Sequence, residues 1–233
     1  MIGLRRARGP RSEMIGLPYA VIFDMDGVIF DTERAWITCW EPVAKRHAIP
    51  DLDRVLREDC VGITAAAMKA RLLEVYGADF PYDAYRAEAY AEFDARYRHD
   101  LPVKKGAQRL LSWLHGRGVP TGLASSTGSA TVKDELGQAG LIQYFDVIVG
   151  GEAVTRSKPA PDIYLLAARR LGVEPGRCFV IEDARFGIQA AHAAGMMPIM
   201  VPDLQKPDDD IRALCHSVLC DLDQVQRAFE QIL

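Results

Sequence analysis

Two textures alternate along the chain. Short apolar runs that end in polar or acidic residues occur at Tyr19–Phe23, Val119–Ala124, Phe145–Val149, Cys178–Ile181 and Met197–Val201. The first is rich in Val, Ile and Phe and does not alternate, which suits a strand buried on both faces of a parallel sheet. Helix-length segments separate the later runs: Ala107–His115, a stretch ending at Gly140, Asp162–Leu171 and Phe186–Ala194. A short strand near Val218 and a helix over Leu222–Ile232 are expected to close the chain. Strand and helix in strict alternation imply parallel strands with right-handed crossovers, so the fold class is α/β.

From Thr32 to about Asp100 the texture is helical throughout. Thr32 is expected to cap a helix running through Trp36 and Trp40 toward His47. A short helix ends at Asp59, a third spans Ala65–Tyr76 and stops at Gly77, and Pro81 opens a fourth through Tyr85, Tyr90, Phe93 and Tyr97. Pro102 ends the block. We read residues 32–102 as an inserted all-helical cap domain. It is joined near Phe30–Glu33 and Leu101–Lys105 to a core made of residues 18–31 and 103–233. Residues 1–17 are expected to be a disordered N-terminal extension, since the first 13 residues hold four arginines and no apolar signal-peptide core.

Composition narrows the function classes. Of 233 residues 49% are hydrophobic, enough for a substantial core, and the net charge of -4 with mixed signs is no footprint for nucleic acid or a membrane surface. No apolar run approaches the ~18 residues of a spanning helix. The five cysteines are scattered and form no CxxC pair, so reduced thiols and a cytoplasmic location are expected, with a monomer as the default.

The candidate chemistry sits where the strands end. Asp24 and Asp26 follow the first run two places apart, so both lean to one side of an extended chain, and Gly27 lets the chain turn. Ser125 and Ser126 follow the second strand, Lys158 precedes Pro159 at a helix start, and Glu182–Asp183 ends the Cys178 strand. Open α/β sheets place ligands at the carboxyl ends of their strands. Carboxylate oxygens favour a hard ion such as Mg2+, and hydroxyls with backbone N–H groups at a helix start suit phosphate. Taken singly, each motif reads as a turn, a helix cap or a solvated lysine; their shared topological position turns them into a site. The charges also match. Asp24, Asp183 and a phosphomonoester carry about four negative charges, and Mg2+ with Lys158 supplies about three positive ones.

The stretches DMDGVIFDT, LASST, SKPAPD and VIEDARFGIQAAHAAGM resemble the four ordered motifs of the haloacid dehalogenase-like hydrolases. They are most similar to the branch of phosphatases and β-phosphoglucomutase with a helical cap after the first motif. The resemblance covers Tyr19 to the C-terminus. It implies a Rossmann-like three-layer core with a parallel sheet and a mobile cap. By the same resemblance Asp24 is the nucleophile that forms an aspartyl phosphate, and Asp26 is the general acid and base. Gly27, Ser125 and Ser126 lie where phosphoryl oxygens are held, and Lys158 orients Asp24 and offsets charge. Mg2+ would rest on Asp24, the Asp26 carbonyl and Asp183, with Glu182 a direct or water-mediated helper. Dehalogenases of the family lack the second acid and the metal, which places this chain elsewhere.

The sequence departs from the branch in several places. Ala184 stands where Ser is usual, Trp36 where mutase-like members carry His, Val61–Gly62 where they carry Lys-Gly, and Ala65 where they carry Arg. Those residues help a mutase keep its bisphosphate intermediate from water. Hydrolysis of small phosphomonoesters, sugar phosphates or related metabolites, is therefore the leading expectation. A hexose-phosphate mutase is the alternative, and a non-catalytic metabolite-binding protein the reading from another class. Trp36, Trp40 and the cap tyrosines are read as packing before pocket, and Lys69 and Arg71 as a solvated face.

Overall fold

A computed structural model describes residues 19–60 and 65–233. The expected N-terminal extension, residues 1–17, and the Val61–Gly62 pair lie outside the described residues. Two compact units divide the chain, Asp31–Pro102 and the segments that flank it.

The flanking segments build a sheet of six strands. In chain order these are β1 (Ala20–Phe23), β2 (Thr121–Ala124), β3 (Val147–Val149), β4 (Cys178–Glu182), β5 (Met197–Met200) and β6 (Ser217–Val218). The spatial order is β3-β2-β1-β4-β5-β6 and every pairing is parallel. From β1 the chain winds outward to β3, then returns to the other side of β1 with β4. The carboxyl ends of β1 and β4 therefore form the switch point at which such sheets open a crevice. Register fixes what faces that crevice. Phe23 pairs with Leu123 on one side and Ile181 on the other, so Asp24 comes level with Ala124 and Glu182. All four β1 residues are fully buried, as a run without polar alternation requires.

Helices cover the sheet: α5 (Ala107–Gly116), α6 (Ser129–Gln138), α7 (Asp162–Leu171), α8 (Arg185–Ala193), α9 (Asp209–Leu214) and α10 (Leu222–Phe229). α7 buries Ile163, Tyr164, Ala167 and Ala168 in one cluster with Ile22, Val180, Ala190 and Ala191. Small residues on α7 and α8 let the helices and the strands meet closely, so the backbone beneath the crevice is tightly held.

The other unit is wholly helical among its described residues, with α1 (Thr32–Arg46), α2 (Leu52–Asp59), α3 (Ala65–Tyr76) and α4 (Tyr82–Tyr97). Aromatic side chains join α1 to α4. The Trp36 ring lies 4.5 Å from Tyr90 and 6.0 Å from Phe93, and Trp40, 1% exposed, stacks on Tyr82. These residues pack the helices. Lys69 pairs with Asp83, and Arg71 with Asp59 and Glu74, so carboxylates already answer both cations. His47 bonds to Glu88 at 2.9 Å and stacks on Tyr85.

Several boundaries differ from the sequence reading. Thr32 is the first helical residue of α1 and not its cap; Asp31 takes the cap position and the Thr32 hydroxyl is buried without a hydrogen bond. β2 starts at Thr121 because Val119 bonds back to Leu114 at the end of α5. β3 starts at Val147 because a single 3-10 turn, Ile142–Tyr144, brings the chain to it. α10 stops at Phe229. Helix α9 was not anticipated from the sequence; its signal is Asp208, whose carboxylate accepts the Ile211 amide at 2.9 Å.

Candidate active site

The site is assembled from strand ends. β1 delivers Asp24, and β4 delivers Glu182 and, one residue on, Asp183. One oxygen from each of the three carboxylates lies within 4.8 Å of the others, and all three residues are buried. Lys158, from the loop before α7, bonds to Asp24 Oδ1 through its ammonium and reaches Glu182 Oε1 at 2.8 Å. The structure thus brings together Asp24, Lys158, Glu182 and Asp183 from three distant segments.

Asp26 and Ser125 stand beside this group through Thr127. The Thr127 hydroxyl donates to Asp26 Oδ2 at 3.3 Å, and its amide donates to Ser125 Oγ at 3.0 Å. Ser125 is fully buried and Ser126 exposed. Gly150 and Gly151, at the end of β3, brace this loop. A Cβ on Gly151 would lie 2.3 Å from the Ser126 carbonyl oxygen, and one on Gly150 would lie 2.2 Å from the Ser129 nitrogen. Only bare backbone fits there.

Gly27 serves space before it serves phosphate. Its own amide donates to the Phe30 carbonyl at 2.8 Å, so among the amides near Gly27 this one is already engaged within the loop. Its φ is +77°, and a Cβ would lie 2.1 Å from Asp183 Oδ2. The missing side chain is what admits the Asp183 carboxylate beside Asp24.

Glu182 takes a second part. A carboxylate accepts about four hydrogen bonds. Glu182 receives Lys158 at 2.8 Å and Tyr164 at 3.0 Å on Oε1, and the Asp183 and Ala184 amides at 2.9 and 2.8 Å on Oε2. Through these contacts it positions Lys158, while it also remains one of the three carboxylates close enough together to share a metal ion. The Ala184 amide makes this contact without a side chain, so the loss of the usual Ser leaves it intact.

Electrostatics follow from burial. Removal from water pushes the Asp24 carboxyl up to about 8, against the pull of Lys158 and with repulsion from Glu182 and Asp26. Burial works against the Lys158 charge, but Asp24 and Glu182 outweigh it and hold the ammonium well above its ordinary range. Glu135 on α6 is pushed up to about 7 by burial and then by Asp26, and its Oε2 is buried without a hydrogen bond. Among these groups carboxylates outnumber the one ammonium, an imbalance that a hard cation on Asp24 and Asp183 would correct. The donor set, all oxygen, fits Mg2+.

Sequence reasoning missed Tyr164 and Glu135 as neighbours of the site. Both sit within helices whose periodicity signals packing alone. Thr127 lay in the serine-rich stretch, but nothing in its spacing showed that it reaches Asp26.

Fold and site together define an α/β enzyme of Rossmann-like build, with its chemistry gathered where the central parallel strands end. The chain belongs to the haloacid dehalogenase-like hydrolases, whose family model matches residues 21–201. It is 35% identical over 177 residues to fructose-1-phosphate phosphatase YqaB of Escherichia coli K12, covering 76% of this chain and 92% of that one. It is also 35% identical over 189 residues to the β-phosphoglucomutase of Bacillus subtilis 168, covering 78% and 82%. A crystal structure of a family hydrolase from Deinococcus radiodurans R1, with bound phosphate and sodium, superposes with a TM-score of 0.78 at 28% identity over 93% of this chain and 97% of that one. The relatives place the chain in the phosphatase and β-phosphoglucomutase-like branch, and their names agree with the expected class, a phosphoric monoester hydrolase. No helix among the described residues is long and apolar enough to cross a membrane.

Proposed function

We propose that the protein hydrolyses small phosphomonoesters, sugar phosphates or related metabolites, through a phosphoryl group carried on Asp24. One observation carries this reading: the Lys158 ammonium bridges Asp24 and Glu182 beside Asp183 at the carboxyl ends of β1 and β4. Binding alone needs no buried nucleophile held by a buried cation. A metabolite-binding protein without catalysis is therefore the weaker alternative.

The steps follow from the residues. An Asp24 oxygen attacks phosphorus as the ester P–O bond breaks, and Asp26 gives its proton to the departing oxygen. Asp26, now a carboxylate held by the Thr127 hydroxyl, takes a proton from water. That water attacks phosphorus, and Asp24 leaves as a carboxylate with release of phosphate. Ser125, whose oxygen accepts the Thr127 amide, keeps its own proton to donate to a phosphoryl oxygen. The exposed Ser126 offers its backbone amide to the same group. Lys158 offsets the charge that builds up on the equatorial oxygens. Asp24, the Asp26 carbonyl and Asp183 would hold Mg2+, which supplies the positive charge that lets an anionic nucleophile meet an anionic ester.

We assign residues 18–31 and 103–233 as the catalytic core, since every residue named in these steps falls there, and 32–102 as the cap of the resemblance. The five cysteines are free thiols, in keeping with a cytoplasmic location. The substrate class follows the relatives' names. The relationship to a β-phosphoglucomutase keeps a mutase in the test. The experiment is a phosphate-release screen over phosphorylated metabolites, with and without Mg2+. Release that needs Mg2+ and vanishes in Asp24→Asn is expected. Interconversion of hexose phosphates that depends on glucose 1,6-bisphosphate, with little free phosphate, would identify a mutase instead.

A further inference from the structure

Tyr164 takes no part in the steps above, yet two of its groups converge on the site. The residue lies on α7 and is fully buried. Its hydroxyl donates to Glu182 Oε1 at 3.0 Å, the oxygen that also receives Lys158 at 2.8 Å. The Lys158 nitrogen stands 4.9 Å from the centroid of the Tyr164 ring, within cation–π reach. One side chain thus supplies a donor to the counter-ion of Lys158 and an aromatic ring to Lys158 itself. Burial, with Glu182 next to it, holds the phenol well above its ordinary range, so the hydroxyl stays a donor.

The surroundings leave Glu182 little choice of position. Its Oε2 is held by the Asp183 and Ala184 amides, and a Cβ on Gly187 would lie 1.5 Å from Oε1. Helix α8 therefore presses on the same oxygen from another direction. Without the phenol, Oε1 keeps only Lys158 among these donors. The ammonium, drawn between Asp24 and Glu182, then keeps only a long 3.4 Å bond to the Ala124 carbonyl to fix its direction.

We propose that Tyr164 is a positioning residue for phosphoryl transfer, acting on Lys158 directly through its ring and indirectly through Glu182. This role rests on the phosphatase reading given above. The test compares wild type, Tyr164→Phe and Tyr164→Leu, each also in a Lys158→Ala background, on a phosphomonoester that the screen shows to be turned over. Removal of the hydroxyl alone is expected to lower kcat by roughly 10-fold with KM within about 2-fold, an effect confined to the transition state. Removal of the ring is expected to lower kcat further. In the Lys158→Ala background Tyr164→Phe should cost nothing more, because its route runs through that ammonium. Wild-type kcat in Tyr164→Phe with only a lowered Tm overturns the proposal and leaves a structural tyrosine. An equal loss in both backgrounds also overturns it. Both outcomes leave the phosphatase reading standing, whereas a wild type that releases phosphate from no ester removes both.

Discussion

At the scale of the residue, Asp24 is held against its charge by burial. Its carboxyl sits at about 8 in the folded chain, raised mainly by burial, against about 3.9 in an unfolded one. A raised carboxyl favours the folded state most below the lower value, and that contribution is lost as pH rises through the higher one. Metal-free protein is therefore expected to lose Tm between about pH 4 and pH 8 through this group. Asp24→Asn should flatten that slope, and Mg2+ should raise Tm more at pH 8 than at pH 5. Scanning calorimetry with a chelator and with Mg2+ checks all three; a slope unchanged by the substitution would assign it to other groups. Gly27 tests the space around Asp183. Gly27→Ala faces a left-handed φ costing about 1–2 kcal/mol and a Cβ that displaces the carboxylate. A lower urea midpoint and a higher Mg2+ concentration for half-activation are expected; an unchanged Mg2+ response would detach Asp183 from the metal.

At the scale of the element, strand ends matter more than strand lengths. β1 is an apolar core strand, and Ile22→Ala is expected to cost about 2–5 kcal/mol in urea unfolding, as other buried truncations do. Asp208→Ala should cost about 0.5–2 kcal/mol through the lost α9 cap, with kcat unchanged, since its exposed pairing with Arg185 adds little. The strands and their polar ends were legible because a buried parallel strand must be apolar and must stop where a charge begins. The convergence of Asp24, Lys158 and Asp183 was legible for the same topological reason. What escaped was lateral: the phenol of Tyr164, the carboxyl of Glu135 and the hydrogen-bond partners of Glu182. Those contacts depend on which helix face meets which strand, and a single sequence does not encode that as a local pattern. Element edges moved where a neighbour took the backbone bond, as Leu114 does from Val119.

At the scale of the whole molecule, the described residues of Asp31–Pro102 form helices and no strand, and every residue of the proposed chemistry falls in the flanking unit. If the helical unit selects the ester, exchanging residues 32–102 for those of a relative with another named substrate should reorder kcat/KM across a metabolite panel. Asp24 dependence should survive the exchange. An unchanged ranking would assign selection to the core.

The pairing of Phe23 with Ile181 carries a further consequence, for gene-level change. Successive strand residues face opposite ways, so gaining or losing one codon within Cys178–Glu182 would turn Glu182 away from Lys158 while hardly altering composition. Two codons would restore the facing but shift the carboxylate by nearly 7 Å along the strand axis, at about 3.3 Å per residue. Neutral drift in length is thus closed to this strand, and natural insertions belong in the connections between elements.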